Sequence, residues 1–254
     1  MDLSRLARQY ESSEEISESD FANVIADFCS LQAKVAHDRG SESAEALLAE
    51  AMIIDDDLSD WAERCPTKQT WQRLPVIKPS TDVFSSHWDL YPNLGVTFAW
   101  NHYRTVRILL NEIICEQLIC LIERMPNSPL RAPLVDQISQ SKRIISLMAE
   151  VICASVPFFL GRRYDSDHSG YDRIFQPQNA VRGRVILWPL YVAASTADLS
   201  DPIRLWIIAR LERVANVMEY HKAMMLAHTL KTQHKGGWLG TKDIRGWHDL
   251  VAQE

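Results

Sequence analysis

The sequence predicts an all-α protein, a single large helical domain of about seven to nine helices that includes a buried, proline-kinked helix. Three observations carry that prediction. Apolar residues recur at three- and four-residue steps along most of the chain, the spacing of one helix face. No stretch sustains period-two alternation, and no self-similarity emerges at periods of about 20 to 50 residues. With 254 residues, 46% of them apolar and 24% charged, the chain is long enough to bury roughly three quarters of its unfolded surface.

The elements follow in order. Residues 1–20, with Glu11-Ser12-Ser13-Glu14-Glu15 and Ser17-Glu18-Ser19-Asp20, are acidic and offer little to bury, so they are expected to be loosely ordered up to Phe21. Residues 21–235 form the helical domain. Val24, Ile25, Phe28, Leu31 and Val35 mark a first helix from Phe21 to His37, and the same test gives a second from Ser43 to Trp61. A loop with Pro66, Pro75 and Pro79 follows, and its isolated rings, Trp71, Phe84, Trp88 and Tyr91, are expected to pack onto the helices it crosses. The longest periodic segment runs from Leu94 to about Met125 and ends at Met125-Pro126-Asn127-Ser128-Pro129. Another helix begins near Pro133, carries Ile138, Ile144, Ile145, Met148 and Ile152, and is expected to break at Pro157. The Arg-, Asp-, Ser- and Gly-rich stretch 161–177 reads as an exposed connection.

Two helices complete the reading. One holds Val185 to Ala194 around Pro189, whose missing N–H and ring bulk should kink or restart it. The other starts at Asp201-Pro202, an N-cap followed by proline at the first helical position, and runs through Trp206, Leu211, Val214 and Met218 toward Leu230. Residues 236–254 read as a glycine-hinged tail in which Trp238 and Trp247 suit docking onto the core or onto a partner.

Charge and cysteine usage exclude several classes. A formal net charge of −6 and a pI near 5.8 leave no basic excess to neutralise phosphates, so no direct DNA binding by this chain is expected. Cys29, Cys65, Cys115, Cys120 and Cys153 are odd in number and scattered, which argues against a disulfide framework and a thiolate zinc site. The longest apolar run, Val185 to Ser195, is about half of the ~20 residues a bilayer span needs, and no secretory leader is evident, so no membrane association is expected.

Three segments carry a family resemblance. The first is Trp88-Asp89-Leu90-Tyr91-Pro92-Asn93-Leu94, leading into Trp100-Asn101-His102-Tyr103-Arg104-Thr105-Val106-Arg107-Ile108-Leu109-Leu110-Asn111. The second is Ile152-Cys153-Ala154-Ser155-Val156-Pro157. The third is Ile186-Leu187-Trp188-Pro189-Leu190-Tyr191-Val192-Ala193-Ala194, followed by Arg204-Leu205-Trp206. In order and spacing they resemble the fungal-specific transcription factor regulatory domain of the fungal zinc binuclear cluster (Zn2Cys6) family, over residues 42–227.

The resemblance implies a nuclear protein of a filamentous fungus engaged in transcription regulation, such as that of a secondary metabolism gene cluster. Its partners would be a small-molecule effector or the transcription machinery, and homodimerisation is compatible with it. The six-cysteine zinc module, basic linker and coiled coil of that family are not in this sequence. The chain is therefore read as a fragment of a longer protein, as a relative that works through another partner, from the nucleus or the cytoplasm, or as a scaffold reused for other chemistry.

Candidate ligand- or partner-binding residues are Asn101, Arg104, Arg107, Trp188 and Trp206. At about 100° per residue, Asn101, Arg104, Arg107 and Asn111 share roughly a third of the helical circumference, opposite Tyr103, Val106, Leu110 and Ile113. Such a stripe could sense a ligand, or its arginines could pair with acids of a neighbouring helix and fix its register. Leu187-Trp188-Pro189-Leu190 could line a cavity beside a proline kink, or could be core packing around one. His221 and His228 could share a face, and a single-face pair of this kind is weak evidence for a metal site.

The alternative is an enzyme. Asp56, Asp57 and Asp60 spell the Asp-Asp-x-x-Asp pattern with which class I terpene cyclases hold magnesium (Mg2+) against an isoprenyl diphosphate, and helical spacing places them on one face. Asp55, Ser59 and Glu63 fit the second pattern of such enzymes, yet the two patterns belong on facing helices and one stretch cannot form both walls. An acidic run at a helix end is otherwise a solvated face, with no metal or other cofactor required.

Overall fold

In the computed structural model the described residues are 13–37, 43–66, 70–76, 80–125, 129, 131–160, 180–196 and 201–232. The protein is all-α: among these residues are seven helices and one two-stranded sheet. The helices are α1 (Ser13–His37), α2 (Ala44–Arg64), α3 (Leu94–Arg124), α4 (Arg131–Phe159), α5 (Ala180–Ser195), α6 (Pro202–Met218) and α7 (His221–Thr232). Between α2 and α3 lie β1 (Gln72–Pro75) and β2 (His87–Leu90). The chain divides into two compact units, the first of Met1–Gln69 and Leu109–Ile144, the second of Thr70–Ile108 and Ile145–Glu254.

In the first unit α1 and α2 form an antiparallel pair. Ser43 caps α2, its hydroxyl accepting from the Ala46 N–H at 3.1 Å. Leu47, Ala51, Ile54, Leu58 and Trp61 then recur at helical spacing and are all buried. Phe21 of α1 stacks on Trp61 at 4.4 Å between ring centroids. Lys34 pairs with Glu50 at 2.7 Å and Arg64 with Asp20 at 3.1 Å, which fixes the opposite chain directions.

The helix α1 begins at Ser13, eight residues before Phe21. Expecting residues 13–20 to be loosely ordered was therefore incorrect. A lack of apolar residues does not prevent a helix from extending outward once its inner turns are packed, because propagation is cheap relative to nucleation. Residues 1–12, 161–179 and 236–254 lie outside the described residues.

In the second unit the predicted loop contains a short antiparallel hairpin, with Gln72 opposite Leu90, Arg73 opposite Asp89, Leu74 opposite Trp88 and Pro75 opposite His87. Leu74, Val83 and Trp88 are buried, with Val76, Leu90 and Phe158 packed against them. Four-residue strands are too short to advertise themselves by alternation, so the aromatic positions were the only legible signal.

Both internal prolines sit within helices. Pro189 lies inside α5, and Pro157 lies inside α4, which continues to Phe159 rather than breaking as expected. Each removes one helical donor. The burial of Val156, Phe159, Leu187 and Leu190 around them rewards keeping the helical path.

Asp201 caps α6 as its sequence indicates, its carboxylate accepting from the Ile203 N–H at 2.9 Å, with Pro202 in the first turn. The segment expected as one helix to Leu230 is instead two, α6 and α7. Glu219 adopts a left-handed conformation at φ 52°, and its N–H and that of Tyr220 both donate to the Ala215 carbonyl. Arg204, 1% exposed, ties the resulting hairpin together. Its Nε and Nη2 donate to the Leu230 carbonyl at 3.2 and 2.6 Å, and its Nη1 donates to the Ala194 carbonyl at 3.2 Å. These carbonyls end α7 and α5, where no helical donor remains.

A left-handed residue with a Cβ is strained, and glycine is not. Glu219→Gly is therefore expected to raise unfolding free energy by about 0.5 to 1 kcal/mol in urea denaturation, and Glu219→Val to lower it.

Candidate functional site

The polar stripe of α3 divides on inspection into separate environments. Asn93 starts the helix, its side-chain oxygen accepting from the Val96 N–H at 2.9 Å. Two turns on, Trp100, Asn101 and Arg104 face inward, and all three are buried. The Nη1 of Arg104 donates to the Tyr91 hydroxyl at 2.6 Å and to Asn101 Oδ1 at 2.8 Å. Its guanidinium carbon lies 4.7 Å from the Trp71 ring centroid, 5.6 Å from that of Tyr91 and 5.9 Å from that of Trp100. Cation–π attraction is strongest when, as here, the cation is desolvated.

Asn101 anchors this cluster to α4. Its Nδ2 donates to Ser155 Oγ at 2.9 Å, and the Ser155 hydroxyl reaches the Ile152 carbonyl at 2.7 Å. Phe158 packs on Tyr91 with ring centroids 5.6 Å apart. The sequence segments around Trp88, Trp100 and Ile152 thus meet in one place.

Asp89 adds an acid from the hairpin. It is fully buried, and its Oδ1 accepts from Arg73 Nε at 3.3 Å, while the Arg73 side chain is half exposed. Burial pushes the Asp89 carboxyl up, opposed by the positive charges of Arg104 and Arg73. Burial likewise pushes the Tyr91 hydroxyl up to about 12, with Arg104 opposing. Asp89 Oδ2 and Arg104 Nη2 are both buried without a hydrogen-bond partner among the described residues.

The other predicted residues sit elsewhere. Arg107 Nη1 donates to the Tyr103 hydroxyl, one turn back on the same helix, at 2.9 Å. In the first unit Asn111 donates to Asp55 Oδ1 at 3.2 Å. Trp188 stacks on Tyr191, one turn along α5, at 5.8 Å. For Arg104, the alternative of an ion pair with an acid of a neighbouring helix is corrected: among the described residues it bonds to a hydroxyl and an amide and lies over rings, and the acid whose field it shares, Asp89, is on β2.

Trp206 belongs to a second cluster. Its Nε1 donates to the Thr81 carbonyl at 2.9 Å, its ring meets Phe84 edge-on at 5.6 Å, and Arg210 lies 5.4 Å over it. Buried Asp82 accepts from Arg210 Nη1 at 2.5 Å and also from Arg213. The clamp fastens residues 81–84 to α6.

Asp56, Asp57 and Asp60 lie on the exposed side of α2, away from buried Ile54, Leu58 and Trp61. Among the described residues, no group of three or more His, Cys, Asp or Glu is placed to share a metal ion. No described helix is long and apolar enough to cross a membrane.

Sequence reasoning found Asn101 and Arg104 but missed Asp89, Tyr91, Trp71 and Ser155 as their partners. The available signal was the cluster of rings and acids, Asp82, Phe84, Trp88, Asp89 and Tyr91, between Pro79 and Pro92, with Trp71 just upstream. Compared with known proteins, no family model matches the chain, and neither does any curated protein or solved structure.

Two outcomes are expected from this geometry. Because Asp89 binds its proton more tightly in the fold than in the unfolded chain, its contribution to stability is present at low pH and is lost as pH rises through the range above 3.8. Denaturation of wild type and Asp89→Asn across that range should differ with this sign. Asp82→Ala, which leaves Arg210 buried and unpaired, is expected to cost about 3 to 5 kcal/mol and to raise proteolysis near residues 81–84.

Proposed function

We propose that this chain is a non-catalytic regulatory module, similar to the regulatory domain of fungal zinc-cluster transcription factors. It receives a small-molecule effector and passes the signal to transcription in the nucleus through a partner, without itself contacting DNA. The observation that carries this reading is Arg104, a guanidinium 1% exposed, ringed by Trp71, Tyr91 and Trp100, with one nitrogen unpartnered among the described residues.

A side chain kept only for packing would not retain an unmatched charged donor, since that costs more than an apolar residue of the same shape. Buried polar groups without partners concentrate where a protein binds or switches. No observation favours the cyclase reading, whose three aspartates face solvent.

Fusing the chain to a heterologous DNA-binding module and measuring a reporter gene in a fungal host tests the proposal. Reporter output is expected to differ several-fold from that of the module alone, with Arg104→Ala removing the difference. Output equal to the module alone, with the fusion present in the nucleus at equal level, overturns it.

A further inference from the structure

The α6–α7 hairpin of the second unit leaves large apolar side chains on its outer side. Leu205 is 54% exposed, Met225 46% and Met224 38%. Their positions form a pattern. On α6 Leu205, Ala209 and Glu212 recur at steps of four and three, and on α7 Met224, His228 and Lys231 do the same, so each set is one stripe of its helix. Lys231 Nζ donates to Glu212 Oε1, which sets the two stripes side by side along one seam.

Arg204 binds the Leu230 carbonyl, so its neighbour Leu205 sits at the end of the seam where the chain leaves α7. Met224 and Met225 sit at the other end, just after the turn at Glu219. At 1.5 Å of rise per residue, roughly 15 Å separates the two ends. The seam is therefore apolar at both ends and charged between them.

Residues 233–254 follow α7 outside the described residues, and their sequence has the matching pattern. Gly236-Gly237 supplies the reversal needed to run back along the hairpin. Trp238-Leu239 comes next, then polar Thr241-Lys242-Asp243, then Ile244, Trp247, Leu250 and Val251 at helical spacing. With helical rise, Trp238 and Trp247 are roughly 14 Å apart, the length of the seam. Thioether and indole are favourable partners, which suits Trp247 to the two methionines. The tether raises the effective concentration of this occupant over that of any separate chain.

We propose that residues 238–251 dock on the α6–α7 seam of their own chain, Trp238 on Leu205 and Trp247 on Met224 and Met225, with Lys242 and Asp243 over the Glu212–Lys231 pair. This goes beyond the regulatory reading and does not depend on it.

Trypsin cleavage after Lys242 and Arg245 in the full chain, followed by mass spectrometry, reads the undocked fraction. The double variant Met224→Asp/Met225→Asp and the tail variant Trp247→Ser are each expected to speed that cleavage about tenfold or more, the weight of one large apolar side chain leaving its contact. Ile53→Asp, at a 61% exposed position of the first unit, should leave the rate unchanged. Should the double variant lose its helical circular dichroism, Leu205→Asp and Trp247→Ser carry the test.

Wild-type cleavage already as fast as that of Trp247→Ser overturns the proposal. So does protection that appears only as light scattering shows the mass doubling, which assigns the seam to a second copy. Protection that responds to Trp247→Ser but to no substitution on the seam overturns it as well, since the tail then docks elsewhere.

Discussion

Burying a guanidinium that hydrogen-bonds to a phenol and an amide rather than to a carboxylate is the constraint around which the second unit is arranged. Arg104 is desolvated on α3, and everything near it is of a kind that tolerates a cation: three ring faces, a phenol oxygen and an amide oxygen. The hairpin exists in that place because Trp71 and Tyr91 flank its strands and must both reach the same charge. Asn101 then transmits the arrangement to Ser155, so α3 and α4 are held in register by a polar contact inside an apolar core. An apolar core alone would leave that register less specified.

Arginine solves a different problem at two further buried positions. Arg204 supplies donors to the ends of α5 and α7, whose last carbonyls have no helical partner. Arg210 meets Asp82 and so fastens residues 81–84 to α6. At Arg204 the planar fork makes three directed bonds from one residue, which a lysine could not reproduce. The forks of Arg104 and Arg210 are only partly used, and Arg104 differs in having rings, a hydroxyl and an amide where Arg210 has the Asp82 carboxylate.

The first unit works on simpler terms. Its α1–α2 pair is an amphipathic interface with Leu47, Ala51, Ile54, Leu58 and Trp61 inside and ion pairs at the margins. Surface pairs of this kind contribute little beyond orientation. Asp56, Asp57 and Asp60 follow from that amphipathicity, since they are not in the apolar stripe and are left facing water.

What the sequence determined by itself was whatever is encoded in local periodicity and capping. The all-α class, the bounds of α2 and α3, and the Asp201-Pro202 start of α6 were legible because each depends on residues within one or two turns. The break at Glu219 was not, since glutamate carries no local signal for a left-handed turn; packing of α7 against α6 imposes it. Nor was the path of α4 through Pro157, which burial on both sides sustains. The site was half legible: helical spacing placed Asn101 and Arg104 on one face, but it could not supply Tyr91, Trp71, Asp89 and Ser155. The bonds to Tyr91 and Ser155 span 13 and 54 residues of sequence, and only tertiary structure brings these partners together, because burial and pairing are properties of the assembled core.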